Sequence, residues 1–130
     1  MTGLDTNILV RIFIEDDPEQ YRKIKEFLQA LTPESPGYVS LIALIELAWV
    51  LRSQYRLSKA QLIQCMEQLL EYPELVIEDY KTVTLALYRF SQFKADFADC
   101  LIERLGHSAG CNETVTFDLD ASRFAGVRLL

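Results

Sequence analysis

Two aspartates three residues apart are the pair in this sequence best suited to chemistry. Asp96 and Asp99 lie in the stretch KADFADCLI, at an apparent helix start, so both carboxylates face the same side. Two unit charges about 4 Å apart repel by roughly 4 kcal/mol at an effective dielectric constant typical of protein surfaces. Two interpretations stay open: Asp96 and Asp99 cap the helix, or they are metal ligands that need partner acids from elsewhere.

Three further acids stand where a fold could bring them to this pair. Asp5 follows a short apolar lead, and Asp118 follows the β-branched run Thr114–Phe117. Glu46 is the only charge in the apolar run LIALIELAWVL. We expect Glu46 to be buried, and a buried carboxylate needs a partner, either an arginine or a metal ion.

Strand-like and helical segments alternate along the chain. Strands are predicted at Met1–Leu4, Tyr38–Val39, Leu75–Ile77 and Thr114–Phe117, with an edge strand at Val127–Leu130. Helices are predicted to start near Asp5, Pro18, Ser40, Ser58, Asp79 and Asp96, with the last one ending at Leu105. The alternation predicts one α/β domain over residues 1–130, a three-layer α/β/α arrangement around a mainly parallel sheet. The carboxyl ends of parallel strands meet at one edge, where sites form, and Asp5 and Asp118 fall at such ends.

Composition excludes several classes of site. The three cysteines, Cys65, Cys100 and Cys111, have no metal-type spacing and are predicted to be reduced packing residues. His107 is the only histidine, so a zinc site built on imidazoles is excluded. No apolar run is long enough to span a bilayer, and the N-terminus does not resemble a signal peptide. A cytoplasmic location is expected.

The net charge of −6 argues against nucleic-acid binding through the overall field of the protein. A local basic rim around an acidic centre is compatible with that charge. The candidates for such a rim are Arg11, Arg52, Arg56, Lys94 and Arg104.

A cluster of carboxylates favours a hard divalent cation. Oxygen donors suit Mg²⁺ or Mn²⁺, which are bound by a few carboxylates and by substrate phosphate. The chemistry that follows is phosphodiester hydrolysis by a metal-activated water, which needs no protein nucleophile.

The four acidic motifs, taken in order, resemble those of PIN-domain ribonucleases, particularly the VapC-type toxins of toxin–antitoxin pairs. They are LDTN at Asp5, IEL at Glu46, DFADCLI around Asp99 and TFDLD at Asp118, and they cover nearly the whole chain. The resemblance implies that these four acids bind metal and catalyse, with Asp96 as an accessory ligand and with Asn7 and Thr116 as polar supports. It also implies a compact α/β/α fold, Mg²⁺- or Mn²⁺-dependent endonucleolytic cleavage of RNA, a homodimer, and inhibition by a small antitoxin protein.

Two other functions remain alternatives from the residues alone. A phosphate-binding or phosphoryl-transfer α/β domain would also gather acids at strand ends, but it would need a lysine after Asp118, where the nearest basic residue is Arg123. A PIN-like binding module with little or no catalytic activity would use the acids only as caps and surface charges. Asp120 is open as well, either as a fourth acid or as a cap of the following turn.

Overall fold

The structure is a computed structural model that describes all residues from Met1 to Leu130. The chain divides into two compact units, unit 1 from Met1 to Glu78 and unit 2 from Asp79 to Leu130. None of the helices is both long enough and apolar enough to cross a membrane.

Unit 1 is a three-stranded parallel sheet with four helices. Its elements are β1 (Thr2–Gly3), α1 (Thr6–Phe13), α2 (Pro18–Ala30), β2 (Gly37–Val39), α3 (Leu41–Ser53), α4 (Lys59–Glu71) and β3 (Leu75–Ile77). The strand order is β1-β2-β3, so β2 is central. Gly37 begins β2, and a Cβ atom there would lie only 2.8 Å from side-chain atoms of both Leu4 and Leu75. A larger residue at this position would therefore displace the ends of these two leucine side chains.

The helices of unit 1 begin where their capping residues predict. Asp5 accepts from the backbone N–H of Thr6 at the start of α1, and Asp17 accepts two backbone N–H groups at the start of α2. Ser40 caps α3, and Ser58 forms a capping box at the start of α4. Because each cap satisfies backbone donors that the helix itself leaves free, these starts are fixed by local sequence.

Unit 2 is a helical hairpin followed by a two-stranded parallel sheet. Its elements are α5 (Tyr80–Gln92), α6 (Phe97–Ser108), β4 (Thr114–Thr116), a short 3₁₀ helix (Ala121–Arg123) and β5 (Val127–Leu129). Phe90 of α5 packs edge-on against Phe97 of α6, with ring centroids 6.1 Å apart. The predicted α/β class with parallel strands, including the C-terminal strand, is confirmed.

Helix α5 starts where predicted, but one predicted side-chain cap and one predicted helix end in unit 2 are wrong. Asp79 does not cap α5 with its side chain, because it adopts a left-handed backbone conformation with φ of 51°. Helix α6 continues through Gly106 to Ser108 instead of ending at Leu105. The residue that turns the chain is Gly110, whose φ of 99° suits glycine.

A buried ion-pair cluster joins the elements of unit 2. The side chain of Glu103 on α6 is only 4% exposed and accepts from Nε and Nη2 of Arg104 at 2.6 and 2.7 Å. Arg89 of α5 lies 3.5 Å from the same carboxylate and donates to the carbonyl of Ala125 at 3.0 Å. The hydrogen bond from Arg104 is the main cause of a lowered Glu103 pKa, which the charge of Arg89 lowers further. Arg104 is therefore committed to this cluster.

Candidate active site

Thr6 connects Asp5 and Glu46 within unit 1. The backbone N–H of Thr6 donates to Asp5 Oδ1 at 2.7 Å, and the Thr6 hydroxyl donates to Glu46 Oε2 at 3.0 Å. Forty residues separate the two ends of the second bond. Thr6 thus fixes both carboxylates, and it is a site residue that the sequence analysis did not single out, although it lies inside the LDTN motif.

The two acids line a groove of about 370 Å³ between α1 and α3. Its lining residues are Asp5, Thr6, Asn7, Val10 and Arg11 from the first helix and its cap, and Glu46, Val50 and Gln54 from α3 and its end. Asn7, predicted to be a polar support near a metal, is exposed and lines the same groove as Asp5.

The prediction that Glu46 is buried is wrong. Helix α3 buries the face with Leu44, Leu47 and Leu51, and Glu46 lies on the opposite, exposed face. Ile42 and Trp49, one turn to either side of Glu46, are 74% and 64% exposed. The hydrogen-bond partner of Glu46 is the Thr6 hydroxyl, not an arginine.

Asp96 and Asp99 form a capping box at the start of α6. The backbone N–H of Asp96 donates to Asp99 Oδ2 at 3.3 Å, and the Asp96 side chain faces the N–H of Asp99 in the reciprocal arrangement. The capping interpretation is therefore confirmed. Asp99 retains a second carboxylate oxygen, so capping does not prevent metal binding.

The Asp99 carboxyl has a raised pKa. Burial is the main cause, and the nearby charges of Asp96 and Asp118 raise the pKa further, against a lowering hydrogen bond from the Asp96 backbone. The charges of Asp96 and Asp118 are therefore close enough to Asp99 to affect its ionisation.

Asp118 is held in place by its own neighbours after β4. Its backbone N–H donates to Thr116 Oγ1 at 3.0 Å, and its Oδ1 accepts from the backbone N–H of Ala121 at 3.1 Å. Thr116 thus supports Asp118 directly. Asp118, not Asp120, caps the 3₁₀ helix, because Asp120 makes no side-chain capping bond.

The acids of both units are chemically suited to a hard divalent cation. Within neither unit do three His, Cys, Asp or Glu side chains come close enough to hold an ion by themselves. All five candidate donors, Asp5, Glu46, Asp96, Asp99 and Asp118, are carboxylates. The Asp99 carboxylate is destabilised by two like charges in the metal-free protein, and a bound cation would remove that penalty. The donor set therefore fits Mg²⁺ or Mn²⁺.

The cysteines and the histidine offer different chemistry from these carboxylates. None of the three cysteines forms a disulfide: Cys100 is buried, Cys65 is half-buried, and Cys111 is exposed, so the packing prediction is wrong for Cys111. His107 lies in the last turn of α6, where it contributes to the lowered pKa of Glu103.

Comparison with known protein families places the chain in a family. The family model described as "PIN domain" matches residues 4–127, which run across both units. No curated protein matches the sequence. PIN domains are generally nucleases that use divalent metal ions. Because the match covers nearly the whole chain, this protein belongs to the PIN domain family of nucleases.

Proposed function

We propose that the protein is a Mg²⁺- or Mn²⁺-dependent endoribonuclease and the toxin of a toxin–antitoxin pair. The observation that carries the proposal is the Asp5–Thr6–Glu46 connection, which places two acids of widely separated motifs in one groove. Membership of a nuclease family makes hydrolysis of a nucleic acid the reaction to expect. The toxin role, the choice of RNA and the identity of the metal rest on the resemblance of the four motifs to VapC-type toxins.

Each acid has a role in this proposal. Asp5, Glu46, Asp99 and Asp118 bind the metal, and Asp96 is an accessory ligand that also completes the cap of α6. Thr6 orients Asp5 and Glu46, and Thr116 fixes the backbone of Asp118. Asn7 offers an amide to the substrate or to a ligand water in the groove.

The reaction adds water across one P–O bond of the RNA backbone. A divalent cation held by the carboxylates would supply Lewis acidity, which would lower the pKa of a water molecule and neutralise charge on the phosphate oxygens. The carboxylates of the chain would hold the cation, and Thr6 and Thr116 keep Asp5, Glu46 and Asp118 in position for it. No nucleophilic side chain has to form a covalent intermediate.

The partners follow from the toxin assignment. RNA is the substrate, the cytoplasm is the location, a second copy of the chain forms a homodimer, and a small antitoxin protein inhibits the enzyme. The net charge of −6 gives little general attraction for RNA, so strand binding has to depend on local cations.

The test is cleavage of a labelled single-stranded RNA by the purified protein. Cleavage is expected with Mg²⁺ or Mn²⁺ and is expected to stop when EDTA removes the ion, because the carboxylates alone cannot activate water. A control with Ca²⁺, which accepts more and longer oxygen bonds, separates catalysis from simple charge neutralisation. Equal cleavage with and without EDTA would contradict metal dependence, and hydrolysis of a generic phosphomonoester instead of RNA would favour the phosphoryl-transfer alternative.

A further inference from the structure

Arg11 is the one cationic side chain that lines the α1–α3 groove. Arg11 is six positions after Asp5, which corresponds to a rise of about 9 Å along α1. On the other wall, Gln54 is eight positions after Glu46, which corresponds to a rise of about 12 Å along α3. The groove thus has an acidic end at Asp5 and Glu46 and a basic, amide-bearing end at Arg11 and Gln54.

The guanidinium of Arg11 is fixed by two neighbours that leave donors free. Nη1 of Arg11 pairs with Asp16 Oδ1, and the Arg11 side chain also hydrogen-bonds that of Tyr55. The Tyr55 hydroxyl lies 3.5 Å from Asp16 Oδ2, so the two partners are themselves connected. A guanidinium has five N–H donors, and these two contacts do not use all of them. One quarter of the Arg11 side chain remains exposed.

The other rim candidates of the sequence do not share this position. Arg104 is bound to Glu103 in unit 2, and Arg52 donates to the carbonyl of Leu57 at 3.4 Å. Neither lines the groove that contains Asp5 and Glu46. Arg11 is therefore the residue of unit 1 whose charge is placed beside the acids without neutralising them.

We propose that Arg11 binds a phosphate of the RNA strand that is not the one cleaved, and that the α1–α3 groove is the subsite for that part of the strand. The inference rests on the proposed function. A planar guanidinium held in place is suited to bidentate phosphate recognition. The amides of Asn7 and Gln54 offer hydrogen bonds to sugar or base, and Val10 and Val50 give an apolar floor. The rise of about 9 Å along α1 from Asp5 to Arg11 corresponds to roughly two or three nucleotides of a stacked strand at about 3.4 Å each.

This role is separable from a purely structural one. If Arg11 served only to pair with Asp16, then removal of either partner would have the same effect on RNA binding. If Arg11 binds phosphate, the Asp16→Asn variant keeps the cation and loses only a competing anion. Arg11→Gln then weakens RNA binding and Asp16→Asn does not. A purely structural role of Arg11 would not produce this difference.

The experiment measures binding of a fluorescently labelled single-stranded RNA by anisotropy at several salt concentrations. All variants carry Asp99→Asn to prevent cleavage, and the set is Arg11→Gln, Asp16→Asn and the control Arg22→Gln. Arg22 lies on α2, pairs with Glu26 at the surface and does not line the groove. Circular dichroism confirms that each variant is folded before its affinity is compared.

Arg11→Gln is expected to weaken RNA binding by about tenfold, the effect of one charge-assisted contact. The slope of log K against log salt is expected to fall by about 0.7, as for one lost phosphate contact on a single strand. Asp16→Asn is expected to bind at least as tightly as the parent, and Arg22→Gln is expected to be unchanged. In the active enzyme, Arg11→Gln should raise KM and leave kcat within about twofold.

Three results would overturn the subsite: no RNA binding by the parent, equal affinity and salt slope for Arg11→Gln and Arg22→Gln, or equal weakening by Arg11→Gln and Asp16→Asn. The subsite and the proposed function can fail separately. If the wild-type protein cleaves RNA and Arg11→Gln has the wild-type KM, the subsite proposal is contradicted and the endoribonuclease proposal is supported. If Arg11→Gln selectively weakens RNA binding while the wild-type protein cleaves no RNA, the subsite stands and the endoribonuclease assignment falls.

Discussion

Replacing Asp99 by asparagine is expected to lower RNA cleavage by about a hundred- to a thousandfold while leaving the metal-free protein no less stable. The activity is lost because asparagine removes an anionic metal ligand. The stability is retained because asparagine can still accept the backbone N–H of Asp96 through its side-chain oxygen. Metal-ligand and capping roles are thereby separated in one variant.

The pH dependence of stability gives the expected direction of the change in melting temperature. The pKa of Asp99 is raised in the folded protein, chiefly by burial and then by the charges of Asp96 and Asp118. The folded state therefore binds a proton at Asp99 more tightly than the unfolded state does, and ionisation of Asp99 lowers stability as the pH rises through the unfolded and folded pKa values. Above that window, metal-free Asp99→Asn should melt at the same temperature as wild type or higher, and the difference should shrink in acid.

The matched control is Asp120→Asn, two residues beyond Asp118. Asp120 makes no side-chain capping bond, so its replacement should not change melting by a measurable amount, and cleavage by the same variant tests the alternative that Asp120 is the fourth acid. Cleavage assays with Mn²⁺ and thermal melts in EDTA measure the two quantities. An Asp99→Asn variant that cleaves RNA like wild type would contradict the metal-ligand role of Asp99, and one that melts several degrees lower without metal would contradict the expected stability.

Glu103→Ala is expected to destabilise the protein by about 3–5 kcal/mol, the usual effect of removing one partner of a buried ion pair. The alanine would leave Arg104 without its bidentate acceptor. Because the Arg104 side chain is only 15% exposed, water could not fully replace that acceptor. Arg89 would lose the same carboxylate. Gly126 packs against Glu103 so closely that a Cβ there would lie 3.0 Å from Oε1, so the approach to β5 would also lose a contact.

Urea unfolding at pH 7 measures the effect, with Glu113→Ala as the control. Glu113 pairs with Arg128 at 2.7 Å, but about half of each side chain is exposed. An exposed pair is worth about 0–1 kcal/mol, so Glu113→Ala should change the unfolding free energy little. Similar small changes for both variants would contradict the view that the Glu103 cluster holds α5, α6 and β5 together.

The pH dependence of the Glu103 effect follows from its lowered pKa. A carboxyl whose folded pKa lies below its unfolded value, about 4.3, contributes stability that is fully present above the unfolded value. That contribution is lost as the pH falls through the folded pKa. The difference between wild type and Glu103→Gln should therefore be constant at neutral pH and should decrease in acid.

The helix starts and strand positions could be predicted from sequence because local interactions decide them. Asp5, Asp17, Ser40 and Ser58 each cap the helix that follows, and the signals that mark them are adjacent in the chain. The failure of the Asp79 cap is local as well, since Asp79 has a left-handed backbone instead of the extended one that the other capping residues adopt, and its side chain makes no capping bond.

The environment of Glu46 could not be predicted, because α3 is apolar nearly all round. A run such as LIALIELAWVL gives no periodic signal for which face is buried, so the rotation of the helix is decided by tertiary packing. The structure buries Leu44 and Leu47 and exposes Ile42 and Trp49 together with Glu46. The Glu103 cluster was missed for a related reason: fourteen residues separate Arg89 from Glu103, and no local pattern connects them.

The most direct test of the central claim is a titration of Mn²⁺ into isotopically labelled protein, followed by paramagnetic broadening of the amide NMR signals. The claim is that Asp5, Glu46, Asp99 and Asp118 bind the divalent ion. Broadening should begin at residues 5–7, 46, 96–99 and 118, should be reversed by excess Mg²⁺, and should be lost in Asp99→Asn. Broadening that spreads evenly over the acidic surface, or that begins at exposed acids such as Asp16 and Glu113, would contradict the claim.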